Sequence, residues 1–422
     1  MTDKTLLTTE AIARESTGVV VEGHRHKCIQ CGNKHEAWFH HYYSTTHQRE
    51  ITYCRKCLQL GRMDNFNTVI IVKTHQESSL APYSLPFNLS KQQLYASQKV
   101  VEAIKKREDL LLYAVTGAGK TEMIFEAIQL ARQRGDNVAV VSPRVDVVIE
   151  LSYRIVEAFE LETIDVLYQG MTQKGNGHFV IATTHQLLRF KSHFDTIFVD
   201  EVDAFPLSQD PSLWHAINEA SKSIHSHIYM SATPNKSLLA QFTSNQIVKL
   251  PARFHRYPLP LPKFKLFKLN PSKKQLHFYQ LLVKQIEKGR YTLVFFNHIE
   301  TMQQTYDIYK KHIESLICVH SEDALRHEKV EGLRRGKHRV VFTTTILERG
   351  FTMAKLDVVV INSHTFSKDA LVQIAGRVGR KKECPTGDFW FYHEGLTMKM
   401  IQARNEIKKM NKLGRARGWL RE

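Results

Sequence analysis

The segment Ala114-Val115-Thr116-Gly117-Ala118-Gly119-Lys120-Thr121 gathers glycines, a lysine and a hydroxyl where an apolar run gives way to a helical stretch. That is the composition and context of a phosphate-binding loop. Gly117 and Gly119 would let backbone N–H groups approach phosphate oxygens, whose charge also suits a helix N-terminus. Lys120 would reach the β- and γ-phosphates of ATP, and Thr121 would hold Mg²⁺ through its hydroxyl. A glycine-bearing turn before an ordinary helix is the plain alternative. Further along, Asp200-Glu201-Val202-Asp203 follows the apolar run Thr196–Val199. At the tip of a buried strand, Asp200 would bind Mg²⁺ and Glu201 would orient or activate the attacking water. Alone, such acids read as a solvated loop; downstream of a phosphate loop they read as its metal-binding partner.

A second chemistry lies near the N-terminus. Cys28 and Cys31 form one CxxC pair, and Cys54 and Cys57 form another. Four thiolates in this arrangement predict a tetrahedral, structural Zn²⁺ site. Disulfides are the rival reading, and His24, His26 and His35 are substitute ligands that a full shell does not need. Cys318 and Cys384 read as core thiols of later strands.

These groups need rigid elements to hold them. From Asn88 onward, β-branched runs alternate with helical stretches, as a parallel α/β sheet requires. The runs are 110–115, 138–142, 179–183, 196–199 and 228–231. A break follows in which Pro258, Pro260 and Pro262 alternate with other residues, which fits a stiff, extended connection. A second series then comes at 292–296, 316–319, 339–343, 358–361 and 389–392. The expected organisation is a cysteine head over 1–75, a first lobe over 88–255, a linker over 256–265 and a second lobe over 266–396. A basic helix over 397–422 ends it, with Met400, Ile401, Ile407, Met410 and Leu413 as its apolar stripe. Its other face, among eight basic residues and two acids from 398 to 422, is either a solvated surface or a phosphate contact.

Composition bounds the function. Hydrophobic residues make up 42% and charged residues 24% of the 422, a soluble globular balance. No apolar stretch is long enough to span a bilayer, and MTDKTLLTTE lacks a secretory pattern, so a cytoplasmic chain with reduced thiols is expected. Lys and Arg number 59 against 42 acids, for a net charge of +17. That surplus suits a polyanion, because each neutralised phosphate releases condensed counterions. Nucleic acid is the first choice, with anionic lipid as the alternative. Trp38, Phe39, Tyr42 and Tyr43 could stack on bases, but are expected mainly to form the small core around the metal.

With these motifs in place, residues 89–392 resemble the DEAD/DEAH-type superfamily-two helicases, which implies two tandem RecA-like lobes. Such proteins accept Ala114 in place of the first glycine. Leu89-Ser90-Lys91-Gln92-Gln93 resembles the segment whose glutamine, here Gln93, reads adenine. Ser142-Pro143-Arg144 and Thr183-Thr184-His185 resemble first-lobe contacts to a nucleic-acid strand, and Ser231-Ala232-Thr233 the element coupling hydrolysis to movement. Thr344-Thr345 with Glu348-Arg349-Gly350 resembles a second-lobe backbone contact, with Gly350 placed on the nucleotide side. Gln373-Ile374-Ala375-Gly376-Arg377-Val378-Gly379-Arg380 resembles the arginine motif, whose Arg377 and Arg380 would meet the γ-phosphate across the cleft.

The four-cysteine head, the loop Thr116–Glu122 and the string Thr343–Gly350 together resemble the ComFA family of late competence proteins, over nearly the whole chain. The resemblance implies a zinc-bearing ATPase that translocates on single-stranded DNA during natural transformation. It also implies partners in the competence machinery and a place at the inner face of the membrane, reached through those partners. The alternatives are a replication-restart helicase, for which the chain is short and its cysteines wrongly placed, an RNA helicase, and a zinc-dependent DNA-binding adaptor with a weak ATPase.

Overall fold

The computed structural model describes residues 12–58, 60–173, 177–348 and 353–421. Among the described residues the head contains six short strands: β1 Ile12–Thr17, β2 Val19–Glu22, β3 Arg25–Cys28, β4 Phe39–Ser44, β5 Arg49–Cys54 and β6 Thr68–Val72. They pair antiparallel as β1–β6, β2–β3 and β4–β5. Strands this short bury little apolar area, and the four cysteines form the buried centre instead. Of the head aromatics, only Phe39 is core. Trp38 and Tyr43 are exposed and Tyr42 is half-buried, contrary to the expectation that most would pack around the metal. Phe39 pairs with Cys54 at the cysteine end of the β4–β5 hairpin, whereas Trp38 lies in the preceding 3₁₀ turn and Tyr42 and Tyr43 lie further along, opposite Ile51 and Glu50.

The first lobe is a seven-stranded parallel sheet. Its strands are β7 Leu110–Ala114, β8 Val138–Ser142, β9 Asp165–Leu167, β10 Phe179–Thr183, β11 Phe194–Val199, β12 Ser221–Ser231 and β13 Ile247–Leu250. Their spatial order is β13-β7-β12-β11-β8-β10-β9. β8, β10 and β11 are buried throughout, as covering both faces of a parallel sheet demands. Because the strands are parallel, all their carboxyl ends emerge at one edge, where an open α/β sheet places its ligand groups.

The second lobe repeats the plan with β14 Lys263–Leu266, β15 Tyr291–Phe295, β16 Leu316–Val319, β17 Val340–Thr343, β18 Leu356–Val360 and β19 Phe389–His393, in the order β14-β19-β18-β15-β17-β16. Here the expected boundary moves. Residues 263–265, assigned to the linker, belong to β14, which pairs in parallel with β19 at the sheet edge. Alternation in Lys263-Phe264-Lys265-Leu266 is the period-two signal that the neighbouring prolines obscured.

The C-terminal helix Met398–Ala416 is also more than a surface appendage. Met400, Ala403, Ile407 and Met410 are buried, whereas Ile401, expected in the stripe, is exposed. Asn411 bonds to both backbone groups of Leu259 in the linker, and Glu406 accepts from Tyr113 of the first lobe and Lys368 of the second. Beyond the helix, Arg417 donates to Lys249 O, and Trp419 packs on Tyr95 of the first lobe. The segment leaving the head is held to the first lobe through Thr74–His193 and Gln76–Asp195 hydrogen bonds, and Lys191 Nζ donates to Gln30 O of the head at 3.4 Å. Gly32 sits so close to the His215 ring there that a Cβ would lie 2.3 Å from its Nε2. Among the described residues, no helix is long and apolar enough to cross a membrane.

Candidate nucleotide site at the seam of the lobes

The turn leaving β7 sets the site. Gly117 and Gly119 take φ values of 80° and 77°, left-handed positions that favour glycine. The Gly119 turn starts the short helix Lys120–Met123, whose first N–H groups have no partner within the helix. A cavity of about 350 Å³ opens there. Its walls include Gly117, Gly119, Lys120 and Thr121 of the turn, Asp200 and Glu201 beyond β11, and Arg377 and Arg380 of the second lobe. Lys120 Nζ lies 2.9 Å from Asp200 Oδ1. Glu201 holds φ at 52°, a strained value for a residue with a side chain, directly beside the cavity.

The two lobes meet closely. Thr233 Oγ1, just past β12, donates to Asp203 Oδ2 at 2.7 Å and accepts from Gln373 Nε2 at 2.9 Å. A relay thus runs from the acidic segment across the seam to the helix Lys368–Ala375 that presents the arginines. Gly376 has no space for a side chain, since a Cβ would lie 1.8 Å from Thr116 Oγ1.

Gln93 lies in a neighbouring cavity of about 990 Å³, which also takes in Phe87, Gly119 and Phe254. Its carboxamide accepts from Ser90 N in a capping box and donates to Gly119 O at 3.4 Å. Arg144 pairs with Asp146 at 3.0 Å. Thr183 and Thr184 have buried side chains, because they close β10 and open the 3₁₀ turn Thr184–Arg189. On this turn the exposed side chains are those of His185 and Arg189. Thr344 is half-buried and Thr345 exposed after β17. Gly350 lies outside the described residues.

Sequence reasoning missed Arg154. It donates to Thr121 Oγ1 at 3.0 Å and pairs with Glu122. Val147, Glu150, Leu151 and Arg154 all line the cavity from the helix Val145–Ala158. Their helical spacing on one face was the available signal.

In the head, the four sulfurs lie within 4.8 Å of one another, with Cys28–Cys57 at 3.6 Å and Cys31–Cys54 at 3.7 Å. A tetrahedron with Zn–S bonds of about 2.3 Å has S–S edges of about 3.8 Å, whereas a disulfide needs about 2.05 Å. The donor set is compatible with zinc.

Two parallel-sheet RecA-like lobes with a phosphate-type loop, paired acids and facing arginines at their seam define an ATP-hydrolysing enzyme of helicase superfamily two. Residues 86–236 match the family described as type III restriction enzyme, res subunit, and residues 273–382 match the helicase conserved C-terminal domain. Residues 4–71 match the competence protein ComFA N-terminal domain. The chain is 38% identical to the competence protein ComFA of Bacillus subtilis, over 94% of this chain and 88% of that one. It is 35% identical to ComFA of Streptococcus pneumoniae, over 85% and 86%. The chain belongs to the ComFA family of competence proteins. Its fold is similar to that of S. cerevisiae Dbp5 bound to RNA and ADP BeF3, with a TM-score of 0.54 and 13% identity over 76% of this chain and 92% of that one. RecG bound to a three-way DNA junction gives a TM-score of 0.54 at 18% identity, over 80% and 49%.

Proposed function

We propose that this chain is an ATP-driven translocase on single-stranded DNA that moves incoming strands during natural transformation. The observation that carries the reading is a cavity walled by both lobes, with Lys120 and Asp200 on one side and Arg377 and Arg380 on the other. In this reading ATP displaces the Lys120–Asp200 contact, and Lys120 moves onto the β- and γ-phosphates. Thr121 and Asp200 hold Mg²⁺, which when bound neutralises charge on those phosphates. Glu201 takes the proton of a water whose oxygen attacks the γ-phosphorus as the bond to ADP breaks. Arg377 and Arg380 stabilise the charge on the transferring group. Losing that group removes what holds the seam together, so each turnover closes and opens the cleft. Arg144, the turn at Thr183 and Thr184, and Thr344 with Thr345 grip the strand. Gln93 and the adjoining cavity take the adenine, and Gly350 completes the nucleotide side. Cys28, Cys31, Cys54 and Cys57 hold Zn²⁺ as a structural ion. The enzyme works at the cytoplasmic face of the membrane, brought there by competence-machinery partners.

The test is the ATPase rate without polymer and with single-stranded DNA, duplex DNA or RNA, at two salt concentrations. Strong stimulation by single-stranded DNA that weakens with salt supports the reading. Equal stimulation by RNA replaces it with an RNA helicase, and no hydrolysis under any condition replaces it with an adaptor.

A further inference from the structure

Arg253 is buried, 1% exposed, and its guanidinium meets backbone carbonyls with no carboxylate partner among the described residues. It stands just past β13, where the first lobe runs into the linker. Its NH1 group donates to Val378 O at 2.6 Å and Gly379 O at 2.8 Å. Those carbonyls lie between Arg377 and Arg380. Two residues on, His255 Nε2 approaches the same Gly379 O at 3.0 Å, while its Nδ1 accepts from Tyr257 N. Phe254, between them, donates its backbone N–H to Gly117 O in the phosphate loop. Upstream, Gln92 fixes Ala252 through both backbone groups, at 2.6 and 2.8 Å. The turn Arg253–Arg256, closed by Arg256 N donating to Arg253 O at 2.9 Å, thus ties the phosphate loop to the arginine segment.

We propose that Arg253, assisted by His255, is a positioning residue that sets Arg377 and Arg380 in register with the phosphate loop. The inference rests on the nucleotide-site reading above and adds a part that no motif assigns. The physical case is cost. Burying a guanidinium without an acid is unfavourable, and burial, with Arg380 nearby, pushes Arg253 down to about 9. Carbonyl dipoles alone offset little of this. At the seam Lys120 pairs with Asp200, and Glu150, Glu201 and Asp200 lie near Arg380, whereas the Arg253 guanidinium meets only carbonyls. Arg253 in this way couples closure of the seam to the geometry of the arginines.

The experiment is a cycle of Arg253→Met, Arg377→Ala and the double variant, read as kcat, KM for ATP and affinity for a fluorescent ATP analogue. Arg253→Met should lower kcat by about 100-fold, the scale of a misplaced catalytic group, with analogue affinity changed by less than about threefold. The double variant should be slower than Arg377→Ala alone by much less than about 100-fold, because only Arg380 is then left for Arg253 to position. Arg253→Lys, which retains a donor, should recover part of kcat. If Arg253→Met misfolds by circular dichroism, His255→Ala replaces it, with a smaller loss of kcat expected. Normal kcat in Arg253→Met or His255→Ala, or fully additive losses, overturns the inference. Full activity in Arg377→Ala overturns the nucleotide-site reading itself, so the two failures are distinct.

Discussion

Gly376 carries an unusually direct constraint. Alanine there would drive its methyl into Thr116, whose Oγ1, Cβ and Cγ2 lie 1.8, 2.4 and 2.8 Å from where a Cβ would stand. Gly376→Ala should therefore wedge the lobes apart and cut ATP turnover by about 100-fold. Thr116→Gly removes all three clashing atoms, so the double variant should regain most of the rate, measured by steady-state hydrolysis; no recovery would mean the close approach is not what limits turnover. Two buried histidines contribute to the acid limit. Burial holds His227 down to about 3, and burial together with Arg253 holds His255 down to about 4, against an ordinary value of 6.5. Between 6.5 and those values the unfolded chain binds more protons than the folded one. Stability from each is thus present in full above 6.5 and lost as pH falls toward about 4 for His255 and about 3 for His227, by up to about 1.4 kcal/mol per pH unit. A melting temperature that drops from pH 7 to 5, and drops less in His227→Gln, is the expected outcome.

At the level of elements, the head depends on its sulfurs more than on its strands. Chelating zinc, or Cys54→Ser, should unfold residues 12–72 and leave the lobes intact, because metal binding supplies folding free energy of about 10 kcal/mol in small domains. Limited proteolysis should then remove the head while a lobe-sized fragment survives; a head that resists protease after chelation argues against a structural ion. The elements also show what the sequence could convey. β8, β10 and β16 occupy the residues their apolar runs marked, since a strand buried on both faces has an unbroken apolar signature. β9 and β13 escaped notice because they are short sheet-edge strands with one polar residue each among their few positions. The site was legible where chemistry requires particular residue types: Lys120, Asp200, Arg377 and Arg380 all line one cavity. Arg154 and Arg253 were not legible, because their importance comes from a helix face and a lobe junction that only folding brings to the seam.

Across the whole molecule, the C-terminal helix joins everything that the linker separates. It belongs to the second lobe through Met400 and Ile407, holds the linker at Leu259, and reaches the first lobe through Glu406, Arg417 and Trp419. Such a strap lowers the free-energy cost of keeping the cleft closed. Removing Arg417 and Trp419 together should shift the balance toward the open form by about 1.4 kcal/mol, a factor of ten. Polymer-free ATPase should then fall about tenfold, and saturating single-stranded DNA should restore it by supplying its own grip on both lobes. An unchanged polymer-free rate would mean the strap has no part in closure. The helix also lies downstream of both lobes in the message. A ribosome delivers the nucleotide-binding lobe first, and it can fold as a unit while the rest is still being made. The strap becomes available only once residues 398–419 have emerged. A chain cut short by premature termination would therefore own a phosphate loop and lack the means to hold it shut.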